Sequence, residues 1–166
     1  MHPYIRGLRA LGLDASALRL PKGSAERATR ALRDQVGADL PVSVIGGHSY
    51  GARVASLVAA ETAPAGLLLL SYPLHRPGHP EQLRVDHWSK IECPVLLLSG
   101  DRDQFARIEP LEQSVQLLPQ AELHVYPGLR HGLRSLADDV ARRIAEFVTA
   151  LQPSTHGSDV PSTQPR

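Results

Sequence analysis

Cysteine occurs once in the 166 residues, at position 93, so no disulfide can close within the chain. A fold stapled by disulfides is excluded, and the usage fits a reducing, cytoplasmic setting. The thiol opens an apolar run, CPVLLLSG, where cysteine serves as a small buried hydrophobe rather than a nucleophile. A charge excess is missing as well: 18 Lys and Arg stand against 17 Asp and Glu, a net charge of +1. Nothing electrostatic points to nucleic acid or to an anionic membrane surface. The longest apolar run, around GLLLL, falls far short of the roughly 20 residues that cross a bilayer. The opening MHPYIRGLRALGL lacks the charged-then-apolar pattern of a secretory leader. Internal repeats are absent.

What is present is an alternation of apolar runs and helical patterns over residues 1–151. LDASALRL (Leu13 to Leu20) is a weak strand candidate. Ser24 to Val36 predicts a helix with Ala28, Leu32 and Val36 on one face. VSVIGG reads as a short strand and Tyr50 to Glu61 as a helix. GLLLLSYP and CPVLLLSG are apolar without alternation, as strands buried on both faces of a parallel sheet are. Between them runs a loop rich in Pro, His and charge, from Leu74 to Lys90. Glu109 to Leu118 predicts a helix, AELHVYPG the last strand, and Leu136, Val140, Ile144, Phe147 and Leu151 a closing amphipathic helix. Strand followed by helix, repeated, means an α/β fold: a mostly parallel sheet with helices on both faces. Residues 152–166, QPSTHGSDVPSTQPR, are Pro/Ser/Thr-rich without periodicity and read as a disordered tail.

One stretch raises a chemical question. VIGGHSYGARVAS leaves a strand through Gly47-His48-Ser49-Tyr50-Gly51 and enters a helix of small residues. A G-x-S-x-G at a strand-to-helix junction is the pattern of a nucleophile elbow, a tight turn that holds a serine hydroxyl above the sheet. Glycines two residues either side of Ser49 relieve collisions in that turn. Ala52, Ala55, Ala59 and Ala60 let the helix lie close to the sheet.

A serine hydroxyl becomes a useful nucleophile when a base takes its proton, and the base is commonly a histidine oriented by a carboxylate. At such an elbow the chain order is Ser, then the acid, then His. The acid and base belong on loops at the carboxyl ends of later strands. LLLSGDRDQF supplies Asp101 and Asp103. Asp103 is preferred, because a Gly-x-x-Asp turn gives its carboxylate room to point back over the sheet; Asp101 is the fallback, its other role being to bond loop amides. YPGLRHGL supplies His131, alone among eight histidines in following the last strand and preceding the closing helix. His124 alternates with Leu123 and Val125 inside a strand, His48 is expected to point away from the serine, and His2 and His156 are terminal.

His75, His79, Asp86 and His87 form the one other cluster. They lack the i, i+4 spacing of a zinc-binding helix, so no metal is expected there. The loop that carries them is expected to cover the pocket entrance, with Tyr72, Leu74 and Trp88 as apolar wall.

These residues resemble the α/β-hydrolase superfamily, and within it the dienelactone-hydrolase-like group. The resemblance is strongest to the branch of small bacterial alpha/beta family hydrolases and the testis-expressed and NSL-complex-subunit proteins. GGHSYGARVASLVAA looks like that branch's elbow and helix, SYPLHRPGHPEQLRVDHW like its segment after the next strand, LLLSGDRDQF like its acid turn and GLRHGL like its histidine turn. The resemblance covers roughly Met1 to Leu151. It implies Ser49 as nucleophile, Asp103 as acid, His131 as base, the Tyr50 backbone amide as an oxyanion donor, and hydrolysis of an ester or similar acyl bond of a small molecule without metal or organic cofactor. Gln104 stands where a proline is expected, which bears on turn rigidity.

The front of the chain departs further. In the family a His-Gly-rich loop after the third strand gives the second oxyanion amide, and MHPYIRGLRALGL looks like the helix that follows it. The third strand would lie between LDASALRL and VSVIGG. Either LDASALRL shifts to pair with VSVIGG, or another chain fills the slot, or Met1 is an internal methionine of a longer protein; the reading favours the last. Exposed strand edges also leave a homo-oligomer open. A non-catalytic interaction module, or a transferase using the same three side chains, are the competing functions.

Overall fold

The computed structural model describes residues 3–151. The proposed tail at 152–166, with His2 and His156, lies outside them. The elements follow in the order α1 (Pro3–Ala10), α2 (Ala25–Val36), β1 (Val44–His48), α3 (Tyr50–Ala59), β2 (Gly66–Leu70), β3 (Val95–Gly100), α4 (Ile108–Val115), β4 (Ala121–Tyr126) and α5 (Ala137–Ala150). The four strands form one parallel sheet in the order β1-β2-β3-β4.

Side-chain alternation along the strands sorts the core into two layers. Leu67, Leu69, Val95 and Leu97 face a cluster built with Ala28 and Leu32 of α2, Ala52 and Ala55 of α3, and Leu111 of α4. Leu70, Leu96 and Leu98 face the other cluster, with Tyr4 and Leu8 of α1 and Val140, Ala141 and Ile144 of α5. Helices on both faces explain why β2 and β3 are apolar throughout: neither of their faces meets water. The alanines of α3 are almost fully buried, as a helix lying close to a sheet requires. Ser24 caps α2 by accepting a hydrogen bond from the Arg27 amide at 3.3 Å.

One expected strand is not formed. Residues 13–21 have no regular structure, so LDASALRL neither shifts to pair with β1 nor stands as a strand of its own. Leu13 and Ala15 pack against the α1/α5 cluster, whereas Leu20 packs against the α2/α3 cluster. The segment carries the chain from one face of the sheet to the other. Its apolar alternation serves two separate cores rather than one pleated face. Among the described residues β1 has a single strand neighbour, β2. No helix among them is long and apolar enough to cross a membrane.

Candidate functional site

The site sits where the parallel strands end. Ser49 follows β1 directly and precedes the first residue of α3. Its backbone has φ 53° and ψ −112°, a conformation that costs a non-glycine residue about 1–3 kcal/mol. The turn is tight: a Cβ on Gly47 would stand 2.6 Å from the Gly51 carbonyl carbon. That contact is the physical reason for glycine at 47. The Tyr50 amide, at the start of α3, has no hydrogen-bond acceptor among the described residues, as befits a helix N-terminus.

Asp103 and His131 arrive on the loops after β3 and β4. His131 Nε2 lies 2.7 Å from Ser49 Oγ, and His131 Nδ1 lies 2.8 Å from Asp103 Oδ2 and 3.0 Å from Oδ1. The Asp103 side chain is fully buried and that of His131 is 18% exposed. The Phe105 amide also donates to Asp103 Oδ1 at 2.8 Å, which fixes the carboxylate. The two loops lie on each other. The Arg102 amide donates to the Leu129 carbonyl at 2.9 Å, and Gly100 leaves no room for a Cβ beneath that carbonyl. Asp101 points elsewhere: its Oδ1 accepts from the Gly128 amide at 2.7 Å and so ties the acid turn to the histidine loop. The side chain of Asp103, and not that of Asp101, meets His131.

An imidazole with a carboxylate on one nitrogen and a hydroxyl on the other can accept the hydroxyl proton while the carboxylate holds the ring and its charge in place. Such a chain of contacts can activate an oxygen nucleophile.

Other expected placements need correction. His48, expected to point away from the serine, lies with its ring centroid 5.3 Å from that of His131. Alternation along β1 directs it to the α1/α5 side of the sheet, and the His131 loop comes over from that same side. Together with Tyr4 it borders a cavity of about 360 Å³ reached by His131. Tyr72, Leu74 and Trp88 do not wall the pocket entrance; they are buried in the core. Pro73, His75 and Phe105 line a second cavity, of about 200 Å³, beside Ser49. Arg53 and Arg84 border it too, and sequence reasoning missed both. Arg53 lies one helical turn after Ser49, a spacing that could have marked it.

The histidine cluster disperses. His75 Nδ1 bonds the Arg76 carbonyl at 2.8 Å, His79 faces Glu81 at 3.5 Å, and His87 Nε2 bonds Ser56 Oγ at 2.8 Å. Burial, with a smaller contribution from Arg53, pushes the His87 pKa down to about 4. Among the described residues no group of three or more His, Cys, Asp or Glu side chains is gathered as a metal site. Cys93 is buried, and burial pushes its thiol up to about 11, where it is a hydrophobe and not a nucleophile. His124 packs edge-on against Tyr126 with centroids 4.5 Å apart, as a strand-face residue does.

The fold agrees with what the sequence matches. Residues 14–152 match the family described as alpha/beta hydrolase domain, and the chain belongs to that family. It is 38% identical over 65 residues to a non-heme haloperoxidase of Rhodococcus erythropolis, a match covering 38% of this chain and 24% of that protein. The chain thus matches about a quarter of the length of that relative. Among solved structures, an esterase from Thermogutta terrifontis superposes with a TM-score of 0.66 at 17% identity, covering 90% of this chain and 86% of that one. An uncharacterised protein of Bacillus cereus gives a TM-score of 0.70 at 18% identity, over 91% of this chain and 55% of the other. At such identities the likeness is one of fold.

Proposed function

We propose that the chain is a serine hydrolase that cleaves a carboxylic ester or similar acyl bond of a small molecule. The observation that carries this reading is the unbroken run of short contacts from Ser49 Oγ through His131 to Asp103, with the serine held at a positive φ. Ser49 Oγ attacks the acyl carbon as its proton passes to His131 Nε2. The carbonyl oxygen, now carrying the negative charge, faces the unpaired Tyr50 amide at the start of α3. The tetrahedral species collapses, the bond to the leaving alcohol breaks, and the alcohol departs with the proton from His131. Water then attacks the acyl-enzyme, gives a proton to His131, and the second collapse releases the acid and restores the Ser49 hydroxyl. Asp103 keeps Nδ1 protonated and steadies the imidazolium throughout. These steps use water and the chain's own groups.

The esterase among the structural neighbours agrees with acyl chemistry. Within the family, we infer a kinship with the dienelactone-hydrolase-like group, a reading supported by the resemblance of the elbow, acid-turn and histidine-turn sequences. The test is turnover of p-nitrophenyl acetate and butyrate. We expect Ser49→Ala and His131→Ala each to lower turnover by at least about 10⁴-fold. Turnover equal to the parent in either variant would refute the assignment.

A further inference from the structure

The two edge strands of the sheet are finished differently. Among the described residues β4 has β3 as its one strand neighbour, as β1 has β2. Its register with β3 is regular from Ala121 to Tyr126, without a bulge. AELHVY contains no Lys, Pro or Gly, residues that blunt an edge against further pairing. β1, by contrast, carries Gly46 and Gly47 at its middle, which have no side chains to meet those of a neighbour. The direction of the β4 backbone follows from its ladder. The Val95 amide donates to the Gln120 carbonyl at 2.8 Å, and the Asp101 amide to the Tyr126 carbonyl at 3.1 Å. Alternate residues of a parallel strand bond the same neighbour, so Glu122, His124 and Tyr126 turn their backbone groups to β3. Ala121, Leu123 and Val125 turn theirs to the outer edge.

Side chains alternate between the faces. Ala121 and Leu123 lie partly buried against the α2/α3 cluster, and Val125, half-buried, follows them by alternation. Glu122, which is exposed, and His124, which is half-buried, lie on the opposite face with Tyr126. This edge is complementary to itself. An antiparallel copy of β4, related by a twofold axis beside Leu123, brings Leu123 against its own counterpart and Ala121 against Val125. These are the hydrogen-bonded positions, and every outward N–H and C=O finds a partner. The same register sets Glu122 opposite His124 of the copy, and His124 opposite Glu122 of the copy, at the closer non-hydrogen-bonded positions. An axis beside Ala121 sets Glu122 against Gln120, and one beside Val125 sets it against Gly128. Pairing of the carboxylate with the imidazole therefore selects the Leu123 register among the three.

We propose that the outer edge of β4 is the docking surface for a second copy of this chain, paired antiparallel about Leu123 with reciprocal Glu122–His124 contacts. Two parallel four-stranded sheets then join into one continuous sheet. The contact is isologous, so it closes at a dimer and does not propagate. Apolar side chains meet on the α2/α3 face, polar ones on the other, and the main chain supplies the ladder between them. The catalytic loops lie at the carboxyl ends of the strands, away from the middle of this edge, so each copy keeps its own Ser49, Asp103 and His131.

Sedimentation equilibrium of the full chain tests this. The parent is expected to show a monomer–dimer equilibrium with a dissociation constant of about 1–100 μM, in keeping with a small interface. Two charge variants probe the register, with circular dichroism as the check that each is folded. His124→Glu sets Glu against Glu on both sides of the axis. Glu122→Lys combined with His124→Lys sets Lys against Lys. Each variant alone is expected to dimerise at least about tenfold more weakly than the parent, and an equimolar mixture to recover the parental affinity or exceed it, because every pair across the axis is then Glu against Lys. Amide hydrogen exchange locates the contact: Leu123 and Val125 should slow as concentration rises, while Val44 and Gly46 should not. A parent that stays monomeric well above that concentration range overturns the proposal. So do variants that dimerise as the parent does, a mixture no tighter than either variant alone, or protection that appears at β1 instead.

Discussion

On one flank of the sheet, β3 and β4 send out loops that are locked to each other, by the Asp101 carboxylate on the Gly128 amide and by the Leu129 carbonyl seated over Gly100. On the other flank, residues 13–21 run without regular structure from one face to the other, Leu18 is 39% exposed and Val42 is 78% exposed. Both flanks serve the same serine. In the proposed mechanism the locked flank supplies the two groups whose positions must be held within fractions of an ångström, Asp103 and His131. The loose flank lies near the serine's neighbour Tyr50, whose hydroxyl bonds the Pro21 and Ser24 carbonyls at 2.9 and 3.3 Å.

The largest expected break is chemical. Asp103→Asn should lower ester turnover by about 10⁴-fold with the fold retained, because an amide no longer holds His131 in the proton-accepting form. Asp101→Ala, two residues away, should lower turnover far less and cost about 1 kcal/mol of stability through the lost Gly128 bond. Steady-state kinetics and urea unfolding of the pair separate the two roles. Next comes packing. Leu98→Ala, at 0% exposure on β3, should lose about 2–5 kcal/mol, whereas Leu18→Ala should stay within about 0.5 kcal/mol; equal losses would erase the contrast between flanks.

A smaller effect is set by pH. His87 is held neutral in the fold, its pKa down at about 4 against about 6.5 in the unfolded chain. As pH falls below about 6.5 the unfolded chain takes up this proton first, so stability falls with pH and levels off near 4, by roughly 3 kcal/mol at most. Unfolding midpoints of the parent and His87→Gln, followed from pH 7 to 4, should show a shallower decline in the variant. The smallest effect sharpens the loose flank. Tyr50→Phe removes the hydroxyl that tethers Pro21 and Ser24, and should cost about 1 kcal/mol and speed proteolysis within residues 11–24.

The locked flank was also the legible one. GLLLL and VLLLSG announce doubly covered strands because their apolar residues run without alternation, and G-x-S-x-G, the acid turn and GLRHGL each follow such a strand or its equivalent. Chain order alone therefore brought Ser49, Asp103 and His131 to one end of the sheet. LDASALRL misled because alternation records which residues are buried but not whether they share a core; Leu13 and Leu20 belong to different ones. The nearness of His48 to His131 was not legible, because the sequence does not tell from which side of the sheet the distant His131 loop returns. Tyr72, Leu74 and Trp88 were legible as apolar but not as core, since the loop that carries them has no period to read.

The most direct test of the central claim is covalent. The parent chain is treated with a fluorophosphonate, digested, and the modified residue located by tandem mass spectrometry, alongside Ser49→Ala and His131→Gln. The account predicts a single adduct on Ser49, none in Ser49→Ala, and labelling slowed by orders of magnitude in His131→Gln. An adduct elsewhere, or Ser49 labelled equally fast without His131, would contradict it.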